Sequence, residues 1–402
     1  MPVSTRPADQ WSPLYFLSSV GAGGIVASFF MWLYMWVPHK GQPVPIFEDI
    51  AAAFASGTGL KQAMIVAAMA LIAGFAALNI GLFVWNLRAM GRFQKTEAHQ
   101  KLMSSNGESQ YLTLPLAIAM MINVGFILGL VFVPGLWSVV EYLFPLAMTA
   151  FVLTGLLALR QIGAFLGRVL GEGGFNWAAN NNFGQVMPAF AMAMVGVGLS
   201  APAALSATSA VAGTAVVLAV IFLVLSVLYG AVAVFLGLAS MVQNGVNRET
   251  APTLMILVPM TTVLGILLLR VQHGLHSHFE VHTTPGGTLT LLTVLLAIEL
   301  AFLMLGWAVM ARQGYGRRFI RGTETHVGSY ALVCPGVALS VLMQFWINKG
   351  LVGAGLIAKF GVVYWGLSAV AVVSQFAMVA LVLLLNRRHF RRTPVSAFVP
   401  AE

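Results

Sequence analysis

Runs of roughly 20 apolar residues recur along this chain between short polar segments, and that is the length an α-helix needs to cross a bilayer. Read this way, the sequence predicts ten spans, at about 14–37, 62–87, 111–133, 137–159, 182–200, 211–240, 251–270, 288–311, 327–347 and 357–385. The sixth and tenth runs are long enough to tilt or overrun the membrane. Four odd-numbered runs carry a proline: Pro115 in LTLPLAIAMMINVGF, Pro188 in GQVMPAFAMAMVGVGL, Pro259 in MILVPMTTVLGILL and Pro335 in ALVCPGVALSVLMQF. In water these would read as broken helices. In a bilayer a proline kink survives where neighbouring helices or a polar cavity re-satisfy the freed carbonyls.

The four prolines fall on spans three, five, seven and nine, each in the first half of its span. Span one has Gly21, Gly23 and Gly24 instead, which also let a helix bend. Among the even spans only the fourth has an internal proline, Pro145. Uncharged polar residues follow the same division: Ser18, Ser19, Thr113, Asn123, Gln185, Thr261, Thr262, Ser329, Ser340 and Gln344 all belong to odd spans, whereas spans two, eight and ten are largely Leu, Ala, Val and Phe. Taken singly, each proline has a packing explanation; four at one depth on parallel spans point to a shared axis. The expected fold is therefore an all-α polytopic membrane protein, with ten transmembrane helices as five hairpins in a quasi-fivefold arrangement and kinked odd helices lining a central pore.

Composition sharpens this picture. The 402-residue chain is 59% hydrophobic and 8% charged, with a mean hydropathy of +0.89. Soluble domains carry about 25% charged residues, so too few charges remain here for a surface facing water. The polar first 13 residues lead straight into a run long enough to span, which is not the pattern of a cleaved signal peptide. One cysteine, Cys334, leaves no internal disulfide and no Cys-rich metal site. The formal net charge of +9 could suggest nucleic acid, but the positions of the charges do not. Assigning alternate loops to one side puts sixteen of the 21 Lys and Arg residues together, among them Arg6, Arg88, Arg92, Arg317, Arg318, Arg387, Arg388, Arg391 and Arg392. Only Lys40, Lys61, Arg270, Lys349 and Lys359 fall opposite. That asymmetry places both termini in the cytoplasm. The chain divides into a cytoplasmic segment 1–13, a ten-helix domain 14–385 and a basic cytoplasmic tail 386–402.

Three stretches in this layout, WAANNNFGQVMPAFAMAMVGVGLS (177–200), ETAPTLMILVPMTTVLGI (249–266) and SYALVCPGVALSV (329–341), resemble the fifth, seventh and ninth helices of the tellurite-resistance/dicarboxylate transporter (TDT) family, with its TehA-type channels and the plant slow anion channels. The resemblance covers nearly all of 14–385 in helix layout, and order and spacing carry it rather than any single motif. It implies a quasi-fivefold pore of odd helices, passage of small anions (an inorganic oxyanion or a small carboxylate) as channel or secondary transporter, a homotrimer and a bacterial inner-membrane location. It also implies a phenylalanine plug just before the ninth-helix proline. Cys334 stands there in this chain; a two-residue slip would put Leu332 there. Two readings of Cys334 remain open: a small packing residue, or a thiol lining the pore. The chain also resembles a branch with cysteine or selenocysteine at this position, which implies sulfur or selenium handling. By the repeat argument Leu114, Met187 and Val258, each preceding its own proline, join Cys334 in a narrow neck.

A pore without buried cations must attract anions through hydroxyls, amides and exposed backbone N–H groups. Arg270, ending span seven, is expected to reach outward. Asn180, Asn181 and Asn182 start span five; they serve as helix caps, with Asn181 and Asn182 also candidates for an anion vestibule. Glu299 lies at the centre of span eight. It is either a proton-coupling group or a neutral, hydrogen-bonded one tying an outer helix to its neighbour. His273, His276, His278, Glu280 and His282 fall in the loop between spans seven and eight, and the four histidines are weak metal candidates because their spacing matches no standard site. No cofactor is expected, nor an enzymatic activity. The alternatives are a membrane sensor and a membrane oxidoreductase component. A haem carrier needs histidines inside spans, and all eight here fall in loops or at span ends. A sensor would normally append a soluble domain, yet the longest non-spanning segment is only about two dozen residues.

Overall fold

The structure, a computed structural model, describes residues 7–390; Arg6, Arg391 and Arg392, with most of the 386–402 tail and the first half of the 1–13 segment, lie outside the described residues. The described residues are helical and contain no strand. Ten of their helices are long and apolar enough to cross a membrane, as befits a multi-pass membrane protein: Pro13–Trp36, Gly59–Phe93, Asn106–Phe132, Leu136–Gly171, Gly184–Leu205, Ser209–Asn244, Ala251–His278, Pro285–Arg312, Val327–Val352 and Val362–Phe390. They are called spans one to ten below. The face on which odd spans begin is the near face and the opposite one the far face.

Several boundaries differ from expectation for physical reasons. Span six, with 36 residues, is about 54 Å long at 1.5 Å per residue, well beyond the ~30 Å of bilayer hydrocarbon. Span seven does not stop at 270 but continues to His278, so His273, His276 and His278 occupy its last turns rather than a loop. Hydropathy marks the edge of the apolar layer, not the end of the helix. Span ten starts at Val362 rather than 357, after a turn in which Gly355 (φ 73°) and Phe360 (φ 65°) are left-handed.

The prolines share a position, though not as kinks inside continuous α-helices. Each odd span begins as a 3₁₀ turn and becomes α-helical just ahead of its proline. Asn106–Leu112 precedes Thr113–Phe132, Gly184–Val186 precedes Met187–Leu199, Ala251–Met255 precedes Leu257–His278, and Val327–Leu332 precedes Val333–Phe345. Pro188 is the second residue of its α-helix; Pro115, Pro259 and Pro335 are each the third. A helix leaves its first N–H groups without intrahelical partners, so a proline there forfeits little. Span one follows the same plan with Pro13–Tyr15 ahead of Phe16–Trp36, and Ser18 fills the third position, its Oγ donating to the Tyr15 carbonyl at 2.7 Å. Among the described residues only Pro145, on span four, sits inside an α-helix.

Burial separates the spans into two sets. Over their most apolar stretches the odd spans are 50–94% buried and the even spans 22–33%. Each odd span packs on the even span that follows it. Span one also packs on spans three and nine, span five on three and seven, and span seven on nine. Two glycines of span one make room for its contact with span nine. A Cβ on Gly21 would come within 2.9 Å of Val333 Cγ1, and one on Gly24 within 3.2 Å of Val337 Cγ1. Gly163 on span four has nothing within 4 Å.

Gly21→Leu should therefore overpack the contact between spans one and nine, costing about 1–3 kcal/mol, while Gly163→Leu should be close to neutral. Thermal unfolding in detergent would show a lower midpoint for the first only, partly recovered by adding Val333→Ala. Equal midpoints for the two single variants would show that the close approach is not what Gly21 serves.

Candidate functional site

A cavity of ≈ 590 Å³ opens towards the far face between the odd spans. Every odd span supplies wall: Gly21, Gly24 and Met31 from the first, Met120 and Asn123 from the third, Phe190 and Met194 from the fifth, Thr262 and Ile266 from the seventh, Val337 and Val341 from the ninth. These residues recur at three- to seven-residue steps, the spacing that keeps one helix face turned to one side.

The floor is formed by Phe190, Pro259 and Cys334. All three also line a second pocket on the near-face side, completed by Leu17, Met187, Thr253, Ile256 and Ala331. That pocket measures only ≈ 10 Å³, about the least that holds one water molecule. The three shared residues are thus the partition between a wide cavity and a nearly closed neck.

Of the residues singled out from sequence, Cys334 and Met187 meet at this partition. Pro259 faces it as well, while Pro115, Pro188 and Pro335 are buried in the packing between helices. The other expected neck residues turn elsewhere. Val258 is fully buried in a separate apolar cluster with Tyr315, Phe319 and Ala338, on which Leu332 also packs. Leu114 packs on the main core and lines neither pocket. The correction is rotational: a helix turns about 100° per residue, so span seven presents Ile256 and Pro259, three apart, and must send Val258 away. The sequence reading missed Phe190. Its signal was available, because it stands three residues after Met187 and so shares its face.

At the far-face end the wall becomes cationic. Arg270, His273 and His276 of span seven, Lys349 of span nine and His39 line the cavity, and among the described residues no Asp or Glu does. Arg270 is turned inward, not outward as its place at the edge of the apolar run suggested. Its Nη1 donates to the Val197 carbonyl at 2.8 Å, which also accepts from Ser200 Oγ at 2.8 Å; this is the C-terminal turn of the Met187–Leu199 helix, where a cation is favoured. Lys349 Nζ lies 5.6 Å from the centre of the Tyr34 ring, a cation–π distance. On the same face Lys359 is pushed below the ordinary lysine range, first by burial and then by the charge of Lys349.

The remaining candidates have local partners. The Asn182 side-chain oxygen accepts from the Gly184 N–H at 2.7 Å, and the Asn181 carbonyl accepts from the Asn247 N–H at 3.1 Å. Asn180 is buried. None of the three lines the cavity, so the cluster organises the start of span five. His276 Nδ1 lies 3.0 Å from the Val281 carbonyl, and the His278 ring lies between the Ser206 carbonyl (2.9 Å) and Ser209 Oγ (3.3 Å). His282 packs its ring on His276. Among the described residues no three His, Cys, Asp or Glu side chains come together in a way that could hold a metal ion. Glu299 is wholly buried, with its carboxyl against the Thr262 hydroxyl of span seven.

No protein-family model, curated protein or solved structure matches this chain.

Proposed function

We propose that this protein passes small anions, an inorganic oxyanion or a small carboxylate, across a bacterial inner membrane through a central pore. One observation carries the reading: a ≈ 590 Å³ cavity open at one face, with Arg270, Lys349, His273 and His276 on its wall and no carboxylate among the described residues. Such a wall attracts anions and repels cations. The sixteen-to-five split of Lys and Arg makes the near face cytoplasmic and turns the cavity outward. The packing pairs support five hairpins in a ring: spans one, three, five, seven and nine each touch the next, and span nine touches span one. Such a ring is consistent with the quasi-fivefold pore that the TDT-like stretches imply. In this reading Phe190, Pro259 and Cys334 are its gate, with a phenylalanine from the fifth span filling the place that the ninth-helix plug would take.

Proteoliposomes loaded with inorganic oxyanions or small carboxylates test this directly. A unit charge about 4 Å away in water is worth about 1 kcal/mol, so Arg270→Gln and Lys349→Gln should each lower anion flux roughly fivefold, and Arg270→Glu should lower it further. Unchanged anion flux in Arg270→Glu, or cation flux equal to anion flux in the native protein, would end the proposal.

The gate predicts opposite effects at two positions. Phe190→Ala removes the ring from the partition and should raise passive flux, with Phe190→Leu in between. Cys334→Phe should reduce flux in protein that still elutes as a folded species. Flux unaltered by all three folded variants would place the barrier elsewhere.

A further inference from the structure

Glu299 has no part in the gate or the cationic rim, yet its surroundings are unusual. It lies at the middle of span eight, an outer span that is only 22% buried over its apolar stretch, and is itself 0% exposed. The carboxyl faces span seven. One oxygen meets the Thr262 hydroxyl, and the other has no hydrogen-bond partner. Thr262 in turn lines the large cavity, and its Oγ1 lies 3.4 Å from the Val258 carbonyl. A single hydroxyl therefore separates a buried carboxyl from the pathway.

The other titratable groups on the elements packed against span eight do not compensate it. On span seven Arg270 is eight residues further on, about 12 Å along the axis, and is committed to the Val197 carbonyl; His273, His276 and His278 lie beyond it. Span nine contributes Tyr330, whose hydroxyl donates to Asn386, together with Cys334 and Lys349, and the Ala251–Met255 turn contributes none. None is bonded to Glu299, and the ion pairs among the described residues lie elsewhere. An ionised carboxyl here would be an isolated charge with one hydroxyl for support, so the resting form is the neutral acid.

We propose that Glu299 is a proton-binding site that exchanges with the cavity through the Thr262 hydroxyl. The acid donates its O–H to Thr262 Oγ1, leaving the threonine proton free to point to the Val258 carbonyl or into the cavity. For release, the threonine O–H proton passes to a cavity water while Oγ1 takes the proton of the carboxyl. The products are a carboxylate, an intact threonine hydroxyl and a protonated water; uptake is the reverse. The proposal takes from the preceding reading only that the cavity holds water, and not which solute crosses. A carboxyl that merely ties span eight to span seven would have the same static geometry, but its proton would neither titrate nor exchange by this route.

Infrared spectroscopy of the protein in liposomes separates the two. Flux alone would not, because it also reads the gate and the rim. The band of a protonated carboxyl, assigned by its loss in Glu299→Gln, should bleach as the pH is raised across the range in which the protein stays folded, and should shift on transfer to D₂O. Thr262→Val should slow that shift about tenfold through loss of one hydrogen-bonded step, and Thr262→Ser should restore it. If Glu299→Gln does not fold, the frequency difference between the Thr262→Val and Thr262→Ser bands supplies the assignment. A band that persists throughout the range, or that exchanges equally fast in Thr262→Val and Thr262→Ser, overturns the proposal. Because the band is read without any anion gradient, a protein that exchanges this proton but passes no anion would refute the function above and leave this site standing.

Discussion

The contact between spans one and nine is the one on which the arrangement of the inner helices depends. It joins segments more than 300 residues apart (Gly21 and Gly24 on Val333 and Val337). Lipid tails are as apolar as leucine, so helices in a bilayer gain little by burying apolar surface against each other; they associate through close backbone approach and interhelical hydrogen bonds. Both devices appear here. The glycines bring the helices together within the membrane. At the near face Tyr15 of span one is hydrogen-bonded to His389 of span ten at 3.0 Å, and Tyr330 of span nine donates to Asn386 of span ten at 2.9 Å. The first and last hairpins are thereby fixed to each other at two depths.

The same need for hydrogen bonds explains why the polar residues of the odd spans mostly do not face the cavity. Ser19 donates to the Asn79 carbonyl of span two, and Asn79 returns a bond to the Ser19 carbonyl at 2.7 Å. Thr113 donates to the Pro13 carbonyl at 2.7 Å. Asn86 of span two accepts from the Trp11 indole and donates to the Tyr15 carbonyl. From sequence, span two read as a plain lipid-facing helix, yet Asn79 and Asn86 are seven residues apart, two turns of one helix, and mark the face that grips span one. In a segment this apolar, two amides on one face are a packing signal more than a solvent signal.

Ten spans and their division into inner and outer sets were legible because bilayer thickness sets the length of an apolar run and because prolines tolerate few positions in a helix. The neck was not legible, because its membership depends on how each helix is rotated about its own axis. A shared place in the sequence relative to proline fixes depth, and Met187 and Cys334 do line the small pocket at the partition. It does not fix rotation when one proline is the second residue of its helix and another the third, and so Val258 and Leu114 were misplaced while Phe190 passed unnoticed. The inward turn of Arg270 was hidden for a similar reason. Its partner is the end of another helix, a main-chain carbonyl that no residue pattern announces.

The site then divides its work by depth. At the rim Arg270 and Lys349 supply charge; in the proposed pore that attraction must stay weak enough to release what it draws in. The floor offers a phenyl ring, a proline and a thiol, none of which replaces the hydration of an ion, so the barrier is dehydration as much as width. Span seven links the two levels and the buried acid. Pro259 at the partition and Thr262 beside Glu299 are three residues apart on one helix face, and both line the cavity. Thr262 Oγ1 approaches the carbonyl of Val258, the residue whose peptide bond leads into Pro259. If Glu299 exchanges its proton through Thr262 as proposed, any change in where the threonine proton points falls within one turn of the partition at Pro259.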